Sequence, residues 1–403
     1  MKVYVETYGC TANEADSSAM REAIIESGSV IVDNPADADA VIVNTCAVTQ
    51  HTSLAMLKAI GRHSGRRVIV AGCMAAVQAD MLPGCERAEA PGAGPVLRLL
   101  GLAGGDSMPL TISGRTAIVK IAEGCRGQCS YCIVRRARGD LHSRSPADIV
   151  AAVRRAVQAG ATEIFLTAQD TGAYGMDIGG RLPGLIRQIN DVPGDFKVRI
   201  GMMNPFSIAD IVPEMIDMLL LPRIYRFAHI PVQSGSDRIL GLMNRPYTAQ
   251  EYCALIGRLR DHVPGITFST DYIVGFPTES DQDFRLTMDN LITCRPLKVN
   301  ITRFSARPGT PATAMPDVPG TVKRERSRAL TALHHEITSA YMQTAAGSVR
   351  QVLVTEKGKL GTVISRDDSY NMVVITEDLP LGAVVSVEIT GSGTTYMIGK
   401  RLQ

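Results

Sequence analysis

Along the first ninety residues, short β-branched apolar runs alternate with stretches whose apolar residues recur at helical spacing. Val3 to Thr7 precedes a helical pattern from Asn13 to Glu26, Ala40 to Asn44 precedes Thr49 to His63, and Arg67 to Ala71 precedes Met74 to Met81. Near-continuous apolar strands separated by helices predict a parallel sheet covered on both faces, where no polar alternation is tolerated. Gly, Pro and Ala crowd between Ala90 and Gly105, including Pro91 to Pro95 and Gly104-Gly105, and mark a boundary. A second βα series then predicts six strands, at 117–121, 163–167, 197–201, 226–230, 267–274 and 298–302. Helical stretches such as Pro146 to Ala159 and Ala249 to His262 separate them. This spacing predicts a partial or full βα barrel whose chemistry lies on the loops after the strands. A charged helical segment, Thr321 to Thr344, leads into short strands at 351–354, 361–364, 372–375 and 384–389, the texture of a small β-barrel. The expected class is therefore α/β: an N-terminal parallel-sheet domain (1–104), a central partial βα barrel (112–342) and a C-terminal small β-barrel (345–403).

Composition narrows the function classes. The chain has 403 residues, 45% hydrophobic and 20% charged, which suits a large core and excludes a disordered tail. A net charge of +2 permits a nucleic-acid partner through local patches without demanding one. No apolar run approaches the roughly 18 residues of a membrane span and no leader-like segment follows Met1, so a cytoplasmic protein without a membrane partner is expected. Nine cysteines, an odd number, suit a reducing compartment, where clustered thiols bind metal or do chemistry.

Two groups of cysteines carry chemistry. In E-G-C-R-G-Q-C-S-Y-C, Cys125, Cys129 and Cys132 share one loop directly after the first predicted barrel strand. Structural zinc asks for four ligands, normally as two paired knuckles, and no second knuckle follows. An iron–sulfur cubane held by three thiolates leaves one iron open for a ligand. C-x3-C-x2-C with Tyr131 before the last cysteine is the radical S-adenosylmethionine signature, in which the open iron holds S-adenosylmethionine (SAM). The second group is spread out: Cys10, Cys46 and Cys73 each follow one of the first three strands. Ends of parallel strands share one edge, where ligand sites form. One such cysteine alone is more often a small core residue, but three at equivalent positions predict a second three-thiolate site. Cys253 and Cys294 fall in helical stretches and read as packing, while Cys85 lies in a loop.

These residues, with T-Y-G-C-T-A-N (Thr7 to Asn13), N-T-C (Asn44 to Cys46), A-G-C (Ala71 to Cys73), H-I-P-V-Q-S-G-S (His229 to Ser236), D-Y-I-V-G-F-P-T-E (Asp271 to Glu279) and F-S-A-R-P-G-T-P-A (Phe304 to Ala312), resemble the radical SAM methylthiotransferases across the whole chain. The resemblance implies two 4Fe-4S clusters. Cys125, Cys129 and Cys132 would hold the radical cluster, and Cys10, Cys46 and Cys73 an auxiliary cluster that carries or donates sulfur. It also implies SAM as methyl and radical source, an electron donor, and a C-terminal TRAM barrel. T-Y-G-C-T-x-N and C-S-Y-C-I-V look most like the branch acting on N6-threonylcarbamoyladenosine at position 37 of the tRNA anticodon loop. Isopentenyladenosine in tRNA and an aspartate of a ribosomal protein are the alternatives within the family. A non-catalytic RNA-binding module with structural metal is the alternative outside it. DNA is not an expected partner.

Within that resemblance, Gln169 and Asp170 sit where radical barrels hold the cofactor's amino group, and Gln233, Asp271 and Ser305 lie at equivalent strand ends, with Tyr131 beside the cluster. Each could instead be a cap or turn former. Gly275 and Pro277 are expected to shape a loop near the adenine, and His229 reads as a satisfied barrel histidine. Arg135, Arg136, Arg138 and Arg144 crowd the segment beyond the radical cysteines and suit bidentate phosphate contacts. Lys323, Arg324, Arg326 and Arg328 offer a second basic patch.

Overall fold

The computed structural model describes residues 1–48, 50–103, 108 and 110–402, the side chains of residues 50 and 51 excepted. The Gly104-Gly105 part of the expected boundary and the first residue of the helix expected from Thr49 lie outside the described residues. Near the N-terminus a five-stranded parallel sheet runs in the order Val30–Ile31, Lys2–Thr7, Ala40–Thr45, Val68–Gly72, Glu86–Arg87. All six residues of Ala40–Thr45 are buried, which is why that strand reads as one apolar run. Helix Thr11–Glu26 packs on one face, burying Met20, Ala23 and Ile24 against Val3, Val5 and Ile42. The helix expected over Met74 to Met81 is shorter: Cys73–Val77 is helical and a 3-10 turn follows at Ala79–Met81, Gln78 breaking the run.

The central unit is an open βα barrel. Strands Thr116–Lys120, Glu163–Thr167 and Lys197–Ile200 form one parallel set, and Phe227–His229, Thr267–Val274 and Lys298–Arg303 form another. Parallel bridges Val198–Ile224 and Met202–His229 join the two. The two-residue period of a strand divides the side chains. Ile164, Leu166, Val198 and Ile200 point outward into the main core with Ile149, Val153, Leu185 and Ile186 from the covering helices. Phe165 and Arg199 therefore point inward. An antiparallel edge strand, Thr111–Ser113, which the sequence pattern did not indicate, extends the first set.

The C-terminal unit is a closed barrel in the order Val349–Lys357, Val363–Asp367, Met372–Ile375, Met397–Arg401, Val384–Ser392. Its core takes alternate residues: Val352 and Val354, Val373 and Ile375, Val387 and Ile389. Met397–Arg401, absent from the four expected strands, closes the ring by pairing with two of them. Helix Gly320–Gln343 connects it to the central barrel. The turn after Val363–Asp367 caps the N-terminal end of the central strands: the Tyr370 ring lies 4.9 Å from those of Tyr225 and Phe227, and the Arg226 N–H donates to the Asp368 carbonyl at 2.7 Å.

Candidate active site

Cys10, Cys46 and Cys73 follow three adjacent strands whose ends are in register, Thr7 opposite Asn44 and Thr45 opposite Gly72. The three thiols lie within electrostatic reach of one another. Cys10 is exposed, whereas Cys46 and Cys73 are buried. Burial pushes the Cys46 thiol up and the Cys73 thiol up to about 11, the nearby Arg138 guanidinium opposing it at Cys73. Asn13 ties the loop ends together, its amide donating to the carbonyls of Tyr8 at 2.7 Å and Thr45 at 2.9 Å.

Cys125, Cys129 and Cys132 occupy a loop at the C-terminal end of the first barrel strand. The Gly127 N–H donates to Cys125 Sγ at 3.2 Å, and a Cβ built on Gly127 would lie 3.3 Å from Cys125 Sγ and 3.6 Å from Cys129 Sγ. Only a residue without a side chain leaves that space between the sulfurs open. Gly124, at φ +75, is equally constrained: a Cβ there would sit 1.9 Å from the Asp140 carbonyl oxygen. Burial pushes the Cys125 thiol up to about 11 and raises Cys132 as well.

The fit of each triad to an iron–sulfur cluster rests on its donor set. Each supplies three free thiols. Among the described residues no three His, Cys, Asp or Glu side chains converge as one ion would require; a cubane takes its thiolates at separate iron corners. The Gln169 side-chain oxygen, at the end of strand Glu163–Thr167, is buried and without a partner. A buried acceptor left unpaired is costly, and an ammonium donor would satisfy it.

Packing brings the triads side by side. Ile133 and Ala137, on the turn just after Cys132, share one apolar cluster with Cys73, Met74 and Ala75. The Thr11 and Thr167 hydroxyls are hydrogen-bonded at 3.0 Å across the same boundary.

The remaining expected site residues divide. The Tyr131 hydroxyl accepts a hydrogen bond from Arg245 at 2.8 Å, and its ring stands edge-on to Phe276. Arg245 also donates to Asn204 at 2.6 Å and lies within electrostatic reach of Cys129 and Cys132. Asp271 accepts from Asn300 at 2.6 Å and pairs with His229 at 3.1 Å. Burial opposes its charge, yet His229, Asn300 and Arg245 hold its carboxyl below the usual range. Gln233 occupies the left-handed backbone region at φ 74, bracketed by backbone bonds to Asp271 and Ile273. Ser305 accepts from Arg307 at 3.2 Å.

The expected ligand and phosphate contacts are corrected at several positions. Asp170 is fully buried and takes its hydrogen bonds from the protein, from Gly172 N, Asn204 N, Asn204 Nδ2 and the Ser207 hydroxyl, so it organises the loop rather than offering its carboxylate to a ligand. Arg138 is buried at the boundary with the N-terminal sheet, bonded to Asn13, Asp16 and Glu123, out of reach of phosphate. Arg135 pairs with Asp140, while Arg136 is exposed beside a pocket of about 440 Å³ lined in part by Cys129, Cys132 and Gly309. Arg144 is half-buried. Lys323 and Arg326 face inward to Asp317 and to Glu279 and Asp281, leaving Arg324 and Arg328 of that basic patch exposed. Gly275, at φ +66, is needed for close packing, since a Cβ there would meet Lys323 Cγ at 2.4 Å.

Arg245 carries no sequence signal of its own, and Arg307 lies inside the F-S-A-R-P-G-T-P-A motif, which does not single it out. Arg307 is buried, reaches Ser53 at 3.4 Å and lies within electrostatic reach of Cys46. Cys253 and Cys294 meet at 3.0 Å between two covering helices, away from both triads.

Residues 119–291 match the radical SAM superfamily, residues 2–89 the family described as uncharacterized protein family UPF0004, and residues 343–402 the TRAM domain. A probable threonylcarbamoyladenosine tRNA methylthiotransferase of Archaeoglobus fulgidus is 39% identical, over 99% of this chain and 98% of its own. The chain belongs to the threonylcarbamoyladenosine tRNA methylthiotransferases. The human member of that family is 34% identical over 99% of this chain and 74% of its own length. Among solved structures, a radical S-adenosylmethionine methyltransferase from Kitasatospora setae, with cobalamin and a [4Fe-4S] cluster bound, superposes with a TM-score of 0.58 at 14% identity, over 77% of this chain and 76% of that one. That likeness is one of fold. Membership of the radical SAM superfamily implies an iron–sulfur cluster and SAM, and the family name implies a tRNA substrate. No helix among the described residues is long and apolar enough to cross a membrane.

Proposed function

We propose that this chain adds a methylthio group to C2 of N6-threonylcarbamoyladenosine in the tRNA anticodon loop. The observation that carries the reading is the packing of the segment after Cys132 onto the helix that begins at Cys73, which sets two thiol triads on neighbouring elements. Inserting sulfur at an unreactive C–H requires a radical source and a sulfur source facing one carbon, and two adjacent triads meet that requirement.

In this reading Cys125, Cys129 and Cys132 hold one 4Fe-4S cluster, and Cys10, Cys46 and Cys73 hold a second. When bound, the radical cluster and SAM supply the hydrogen-abstracting radical and the methyl group, given one electron from an external donor. The chain's own residues position and shield. Gln169 accepts from the cofactor's ammonium group. Tyr131, fixed by Arg245, walls the radical loop. Asp170 holds the 171–173 and 204–208 segments in place. Arg136 and Arg144 are left to contact RNA phosphate, and the TRAM barrel adds RNA surface. The protein works in the cytoplasm on RNA and not on DNA.

Mass spectrometry of tRNA nucleosides from cells lacking this chain, or carrying only Cys10→Ala, tests the reading. The expected result is loss of 2-methylthio-N6-threonylcarbamoyladenosine with accumulation of its precursor in both. If that nucleoside persists in the deletion, the reading is wrong. Loss of methylthio-isopentenyladenosine, or a mass change on a ribosomal protein, would identify the substrate instead.

A further inference from the structure

Inside the central barrel, below the strand ends that carry the candidate site, lies a cavity of about 630 Å³. Its walls include Thr11, Phe165, Arg199, Lys298, Arg366 and Tyr370. Three of these are cations. The Arg199 guanidinium stands 5.3 Å from the ring centre of Phe165, 5.4 Å from Phe227 and 5.7 Å from Tyr370, and Arg366 stands 4.7 Å from Tyr370. Aromatic faces attract a cation without neutralising it. Among the described residues neither Arg199 nor Lys298 enters an ion pair, and Arg366 has only Glu356 at 3.8 Å. Burial pushes the Lys298 ammonium down, and repulsion from Arg199 and Arg366 pushes it further. Three cations gathered on one cavity wall, with Glu356 the one carboxylate within 4 Å of any of them among the described residues, repel one another until an anion enters.

The cavity also has two ends that matter. Thr11 is next in sequence to Cys10, and Lys298, paired in register with Ser269, lies within electrostatic reach of Asp271 two residues nearer the C-terminal end of the strands. A ligand held between the triads can therefore send a side arm into this space.

We infer that Lys298, with Arg199 and Arg366, forms the subsite that receives the carboxylate of the N6-threonylcarbamoyl arm and so selects this nucleoside over one with an uncharged N6 substituent. The inference rests on the proposed substrate. The arm carries one carboxylate, with a methyl and a hydroxyl beside it, which suits cations set among rings. An isopentenyl arm carries no charge and would leave the three cations without an anionic partner. Arg199 also anchors the C-terminal barrel through Tyr370, on which Arg366 packs from within that barrel. Lys298 makes no ring contact or ion pair among the described residues, so it is the position where recognition can be tested apart from assembly.

The experiment compares the reconstituted enzyme on two anticodon stem-loops, one bearing N6-threonylcarbamoyladenosine and one its methyl ester. The expected KM is at least tenfold lower for the acid. Lys298→Met should raise the KM for the acid about tenfold, leave that for the ester and the rate of uncoupled SAM cleavage unchanged, and be rescued by Lys298→Arg. Equal KM values for acid and ester with the unaltered enzyme, or an unchanged acid KM in Lys298→Met, would overturn the inference. If the unaltered enzyme methylthiolates neither stem-loop but does modify an isopentenyladenosine stem-loop, the proposed function fails and the subsite fails with it.

Discussion

Arg138 and Asp16 meet at 2.8 Å with both side chains only 1% exposed, one from the segment after the radical cysteines and the other from the first helix of the N-terminal sheet. Lys120 and Glu123 complete the cluster. The pair locks the domain carrying Cys10, Cys46 and Cys73 onto the domain carrying the other triad. Removing one partner strands a buried charge, which is the costly way to break such a pair.

Arg138→Met should therefore lower stability by about 3–5 kcal/mol. Thermal unfolding measures it, and a midpoint within a degree of the unaltered protein would refute the locking role. A Arg138→Met, Asp16→Leu double variant should recover part of the loss, because no charge is then left unpaired.

The same pair sets an acid limit. Burial pushes the Asp16 carboxyl up, but Lys120 and Arg138 outweigh it and hold the folded value below the ordinary 3.8. A group depressed on folding contributes stability above its unfolded pKa and loses it as pH falls. Asp16 should thus contribute fully above about pH 5 and progressively less below pH 4. Asp16→Asn should flatten that part of the stability profile; an identical acid limb in both proteins would exclude the assignment.

Arg245 places a buried positive charge beside Cys129 and Cys132. A cation near a cluster favours its reduced form. Arg245→Met should lower the midpoint potential of the radical cluster by roughly 60 mV, one tenfold step for a one-electron couple. A redox titration followed by electron paramagnetic resonance reads the shift, and no movement would count against the electrostatic role.

Arg307 touches Ser53 and Ser305 beside Cys46, remote in sequence from both triads. Arg307→Met is predicted to slow methylthio transfer at least tenfold while SAM cleavage continues. Parallel loss of both activities would mean a general structural role instead.

Arg136 is exposed beside the radical loop, unlike Arg138 two residues on. If it contacts one phosphate, Arg136→Ala should reduce the slope of log affinity for tRNA against log salt by about 1. Filter binding at several salt concentrations checks this, and an unchanged slope removes Arg136 from the interface.

Local pattern was enough to read the alternation of strands and helices, the spacing of the radical cysteines and the recurrence of a cysteine after each of three strands. Strand Thr267–Val274 and helix Ala249–His262 are set by β-branched runs, a Thr-x-x-Glu capping box and apolar periodicity, all of which act within a few residues. Arginines were beyond that reach. Arg135, Arg136 and Arg138 look alike in sequence, but a five-residue helix turns Arg138 inward while leaving Arg136 outside. Asp170 likewise reads as a strand-end ligand until Asn204 and Ser207 are folded onto it. Long-range packing decided these partners, as it decided the cation cavity formed by Arg199, Lys298 and Arg366 from two barrel strands and a separate domain. The sequence alone thus determined which thiols the chain offers and on what kind of fold. Tertiary structure decided which charges are buried, because burial depends on what distant segments bring to the same place.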